Sequence, residues 1–192
     1  MTDLINVPCK NTVPEEIKGI LYSAINEIGK ERIRMEVIAD IERSVRSCNE
    51  ILEKCKRNLG SDFDDDETLG LVCEGMLHFM MTASMLPSER KVDWKGAALD
   101  VVVPSLRMLS KSPNKALVIQ IIKKETDFAK IKQDESVQAL YENIWIVSAR
   151  GLKIDHKNYY IGSANYPYCR IISDIQRFLI QKRYRGLKLL HG

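Results

Sequence analysis

AALDVVVPSLRMLSKSPNKALVIQIIKKE, residues 97–125, carries the pattern that sets the fold class. It holds two short β-branched runs, Val101–Val103 and Leu117–Ile122, joined by a segment containing Ser110, Lys111, Ser112, Pro113 and Asn114. Such runs, bounded by turn-forming residues, read as neighbouring strands. Polar groups stand where a sheet would otherwise be uniformly apolar. Asp100 opens the first run, Gln120 interrupts the second and Lys123 follows it.

N-terminal to this stretch the apolar pattern has helical period. Thr12-Val-Pro-Glu15 fits a capping box with proline in the first turn, and Ile17, Ile20, Leu21, Ala24, Ile25 and Ile28 mark one apolar face up to Gly29. A longer helix follows. In it Ile38, Ile41, Val45, Cys48, Leu52, Cys55 and Leu59 recur in steps of three and four, a coiled-coil seam closed by Gly60. Three heptads leave two readings open: an internal hairpin covered by the first helix, or a homodimer formed through those seven residues.

The acidic tract 61–67 has Asp62, Asp64 and Asp66 at calcium-loop spacing. Position six of such a loop is Glu67 rather than glycine, and position twelve is Cys73 rather than glutamate. Calcium is therefore rejected, and the last carboxylates suit the positive N-terminus of the next helix. That helix, about 66–85, is apolar nearly all round and reads as central. Its polar row Glu74, His78, Thr82 faces either solvent or a site on the sheet. Residues 86–95 read as a polar connection. Further strands are expected at 143–149 and 157–161, a helix over 136–142, and a last helix over about 167–185.

The expected fold is thus α/β (α+β): a helical N-terminal half, then a small mixed sheet of about four strands with flanking helices. Residues 1–60 form the helical hairpin or coiled-coil-like region, and 61–192 the α/β domain with a basic C-terminal helix. The 192 residues are 45% hydrophobic and 29% charged with a formal net charge of +3, so most of the chain folds, and charge alone does not imply nucleic acid. No apolar run reaches the length of a membrane span, and residues 1–13 lack a secretory core. Five scattered cysteines suggest reduced thiols and a cytoplasmic location. Phosphate loops and the nucleophile elbow are absent, and His78, His156 and His191 stand apart.

The order helix, strand, strand, helix, strand, helix, with Asp100 on the first strand and Gln120 and Lys123 on the second, resembles the PD-(D/E)XK nuclease superfamily. The resemblance covers roughly residues 66–185. It implies a catalytic set of Asp100, Gln120 and Lys123, with Asp100 as ligand to Mg2+ or Mn2+ if the site is active, and no cofactor otherwise. Two departures point to a divergent or inactive relative. An amide replaces the second acid, and residues three apart leave opposite faces of a regular strand unless a bulge, or a shift to Lys124 or Glu125, realigns them.

The C-terminal region leaves two readings open: nucleic-acid contacts, with Tyr166 and Tyr168 for stacking beside Tyr159 and Tyr160 and Arg170, Arg177, Lys182, Arg183 and Arg185 for phosphates, or tyrosines that fill a sheet edge beside a basic helix face turned to solvent. The function expected from sequence is a non-catalytic binding or assembly protein on a divergent nuclease-like scaffold, with nucleic-acid contact left open. The alternatives are a divalent-metal-dependent nuclease and a purely structural homo-oligomer.

Overall fold

The computed structural model describes residues 14–123, 143–162 and 166–188, the side chains only as far as residue 182. Six α-helices lie among the described residues: α1 Pro14–Ile28, α2 Lys30–Ala39, α3 Arg43–Leu59, α4 Asp66–Ala83, α5 Leu106–Lys111 and α6 Ile171–Lys188. Five strands, β1 Glu89–Trp94, β2 Ala97–Val103, β3 Leu117–Ile122, β4 Ile144–Ser148 and β5 Lys157–Tyr160, form one sheet in sequence order. β1, β2 and β3 are successively antiparallel; β3, β4 and β5 run parallel. The fold class is therefore the mixed α/β one that the patterning implies.

The sheet is covered on both faces. The larger core gathers the apolar faces of α1, α3 and α4 with Val101, Val103, Ile119, Ile121, Trp145 and Val147, and with Ile171, Ile172 and Ile175 of α6. The smaller core holds Trp94, Leu99, Val102, Leu109, Val118, Ile122, Ile144 and Ile146. Burial on both sides explains why β3 and β4 read as continuous apolar runs, LVIQII and IWIVS.

The capping residue Thr12 and the 136–142 helix fall outside the described residues. Within them, two sequence expectations change. The long second helix is two helices, because the backbone breaks at 40–42, where the Asp40 Oδ1 accepts a hydrogen bond from the Glu42 N–H at 3.0 Å. Cys48, Leu52, Cys55 and Leu59 are buried inside the chain, whereas Ile38 is exposed and sits on α2. The 86–95 connection contains an edge strand. β1 joins β2 through Lys95 and Gly96, both with positive φ (55° and 85°), the backbone a two-residue hairpin needs. The acidic tract behaves as its charge suggests: the Asp65 carboxylate caps α4 by accepting from the Thr68 N–H at 2.8 Å, and Asp66 and Glu67 occupy the first turn.

Candidate active site

The β1–β2 ladder runs in one register from Trp94↔Ala97 to Val92↔Leu99 and again from Arg90↔Val101 to Glu89↔Val102. Lys91 and Asp100, which that register would set opposite each other, are not paired. Lys91 has φ +49°, a conformation that residues other than Gly, Asn and Asp avoid. The strands change face there. Leu99 packs in the smaller core while Val101 packs in the larger; Val92 leans on the smaller core while Arg90 reaches α4. The β2–β3 ladder also stops at Val101↔Ile119.

Side chains take over where the β2–β3 ladder ends. Asp100 Oδ2 accepts from the Ile121 N–H at 2.8 Å. The Gln120 Oε1 accepts from the Asp100 N–H at 3.0 Å, and its Nε2 donates to the Ala98 carbonyl at 3.1 Å. Gln120 is 4% exposed and both ends of its amide serve the β2 backbone. It therefore ties the parted strands rather than facing a substrate.

Lys123 leaves β3 on the opposite side. Its sequence position has the parity of Ile119 and Ile121, toward α4, whereas Gln120 has that of Val118 and Ile122. The β3–β4 ladder is unbroken from 118 to 122, so no bulge aligns the two. Lys124 and Glu125 lie outside the described residues. Lys123 Nζ meets Glu74 Oε2 on α4 at 2.6 Å. Lys91 Nζ lies 3.1 Å from Glu74 Oε1 and 2.6 Å from Asp100 Oδ1, and Arg90 stands 3.6 Å from Glu74. Two carboxylates and three cations thus meet where β1, β2 and β3 part company under α4.

Gly70, one turn before Glu74, makes the approach feasible. A Cβ there would stand 2.8 Å from Lys123 Cγ and 3.3 Å from its Cβ. Burial alone would raise the Glu74 carboxyl. The hydrogen bonds and charges of Lys123 and Lys91 outweigh it and hold the group below the ordinary carboxylate range. Burial would likewise depress Lys91, but Asp100 and Glu74 raise it. His78, the next member of the α4 row, is exposed and held below its usual value by partial burial and by Arg90. Among the described residues no three His, Cys, Asp or Glu side chains are grouped as a metal site.

Of the three residues proposed from sequence, Asp100 and Lys123 are brought to one cluster through Glu74 and Lys91, and Gln120 is turned away from it. Glu74 was visible as part of a polar helical row. Lys91 and Arg90 carried no sequence signal, because their place depends on the edge strand and its change of face.

The C-terminal residues are distributed differently. Tyr168 is 1% exposed and donates to the Cys73 carbonyl at 2.7 Å; Tyr166 is buried and donates to Glu53 Oε1 at 2.7 Å. Their rings fill the core beneath α3 and α4 instead of presenting stacking faces. Arg177 is bound to Glu42 and to Asp174, so it braces α6 against the α2–α3 junction. Asp174 also receives Lys157 and the Tyr159 hydroxyl, each at 2.7 Å. Arg170 is exposed, and Lys182 lies 5.2 Å from the Phe178 ring centroid. Arg183 and Arg185 belong to α6, their side chains beyond the described set.

This arrangement is a restriction-endonuclease-like fold. The chain is similar over 94% of its length, and over 98% of the other chain, to the structure of the restriction endonuclease PspGI in complex with substrate DNA, at 15% identity and a TM-score of 0.58. A structure of metal-depleted Ecl18kI with uncleaved DNA aligns over 88% of this chain and 73% of its own, at 11% identity and a TM-score of 0.39. No protein-family model matches the sequence, and no curated protein matches it. No helix among the described residues is long and apolar enough to cross a membrane.

Proposed function

We propose that the chain is a divalent-metal-dependent phosphodiesterase acting on DNA. The single observation that carries this reading is the convergence of Asp100, Glu74 and Lys123 where the β2–β3 ladder ends. The catalytic alternative is thereby favoured over the non-catalytic expectation, because Glu74 supplies the second acid that Gln120 does not. Both carboxylates contact one ammonium, that of Lys91, so two hard oxygen donors already converge on a single cation, which suits Mg2+ or Mn2+. Asp100 and Glu74 would hold such an ion. Bound there, it would polarise a phosphoryl oxygen and lower the pKa of a coordinated water.

The protein's own groups have separate tasks. The Ile121 N–H fixes the Asp100 carboxylate through Oδ2 and leaves Oδ1 directed at the cluster. Gln120 fixes the Asp100 backbone. Lys123, held by Glu74, offers a cation for charge developing on a phosphate. DNA is the substrate class that the resemblance to a DNA-bound restriction endonuclease favours. Arg170, which is exposed, and Lys182 would offer cations to its backbone.

Incubation of supercoiled plasmid with Mg2+ or Mn2+ tests the proposal. Metal-dependent nicking or linearisation is expected, abolished in Asp100→Ala and in Lys123→Ala. Salt-sensitive DNA binding without cleavage under either metal would sink the catalytic reading and restore the non-catalytic one.

A further inference from the structure

We propose that Lys91 is a built-in occupant of the cation position, and that a divalent ion enters only by displacing its ammonium. The inference rests on the metal reading above and concerns how that site is kept closed. Four observations converge on it. Lys91 Nζ bridges the two carboxylates, at 2.6 Å from Asp100 and 3.1 Å from Glu74, which is where a shared cation has to sit. The backbone at Lys91 is in the left-handed region inside a strand, so the chain holds an unfavourable conformation at the residue that fills the site. The ladder lapses at Lys91 and Asp100 and resumes on both sides, so the irregularity is confined to this pair. The Lys91 side chain is 55% exposed and lies on an edge strand, so it has room to swing into solvent.

The other two cations are not equivalent. Lys123 meets the opposite oxygen of Glu74 and passes against Gly70, where its stem is packed. Arg90 meets just one of the two acids, Glu74, at 3.6 Å among the described residues. Lys91 alone among the described residues bridges both acids. Displacing it restores two ligand oxygens and leaves Lys123 in place. Any ion that binds must overcome the ammonium's competition for the same two oxygens, so affinity in the wild type is reduced by the population of the plugged state.

Mn2+ binding to the full chain, followed by loss of the free-ion electron paramagnetic resonance signal, tests this without reference to cleavage. Lys91→Met should bind Mn2+ at least tenfold more tightly than wild type, and Lys91→Gln should do the same if the methionine folds poorly. Asp100→Asn should bind weakly whether or not Lys91 is present. In metal-free buffer the Lys91→Met thermal midpoint should fall, because two carboxylates then face each other with less compensation. Added Mn2+ should raise that midpoint more than it raises the wild type's. Equal Mn2+ affinity in wild type and both Lys91 variants would overturn the plug and leave the metal site standing. Absence of binding in all of them, with the variants folded, would overturn the metal reading itself and the plug with it.

Discussion

Alanine at Gly70 tests the cluster from its weakest side. Gly70 is buried inside α4, and a Cβ there would lie 2.8 Å from Lys123 Cγ, 3.3 Å from its Cβ and 3.4 Å from its Cα. These are atoms near the backbone at the end of a buried strand, not the free end of a side chain, so they yield only if β3 or α4 moves. Overpacking of this kind costs roughly 1–3 kcal/mol. Replacing a mid-helix glycine by alanine returns about 0.5–1 kcal/mol. The net expectation for Gly70→Ala is a destabilisation of about 1–2 kcal/mol. Gly19 provides the internal control: it is exposed in α1 and nothing lies within 4 Å of the position its Cβ would take. Gly19→Ala should therefore stabilise by about 0.5–1 kcal/mol, the helical term alone. Urea unfolding of the three proteins, analysed at a common m-value, reads both signs directly. If Gly70→Ala were as stable as Gly19→Ala, α4 would not approach Lys123 as closely as described, and the account of how Lys123 reaches Glu74 would fail.

Asp100→Ala should cost about 1–3 kcal/mol beyond any effect on cleavage, because it leaves the Ile121 N–H without its acceptor, and thermal unfolding would register it. Tyr168→Phe should cost about 1 kcal/mol through loss of the buried hydroxyl's bond to the Cys73 carbonyl, again measurable in urea. The pH dependence follows from the directions of two shifts. Glu74 is held low in the folded chain, so its contribution is present above the unfolded carboxyl value of about 4.3 and is lost as pH falls through the folded one; the stability difference between wild type and Glu74→Gln should shrink in acid. Lys91 is held high, so its contribution is complete below about 10.4 and is lost as pH rises through its folded value; the difference between wild type and Lys91→Met should close in strong alkali.

The two apolar runs that follow Asp100 made the centre of the sheet legible, since Val101–Val103 and Leu117–Ile122 are buried throughout and nothing competes with that pattern. The helical faces of α1 and α4 were legible for the same reason. β1 was not, because ERKVDW carries just two apolar residues, Val92 and Trp94, too few for alternation to mark a strand. Its turn was the better signal: Lys95-Gly96 places glycine where a tight hairpin requires it. The break between α2 and α3 was hidden because the three–four spacing continues through Asp40 without a gap. In the candidate site, Asp100 and Lys123 could be named from position alone. Gln120 looked like a failed acid because the sequence cannot tell a ligand from a group that substitutes for ladder hydrogen bonds. Lys91 was invisible, as its role is created by a cross-strand register and a left-handed backbone.

The lapse in the ladder at Lys91 and Asp100 also has a mechanical side. Beyond it, residues 92–99 form a hairpin tip that no β3 backbone bond holds; Gln120 and Asp100 side chains make the connection, and Trp94, Ala97 and Leu99 seat the tip on the smaller core. The tip thus hangs from side chains that belong to or adjoin the charged cluster. Amide exchange along 92–99 should therefore respond when Asp100 is replaced.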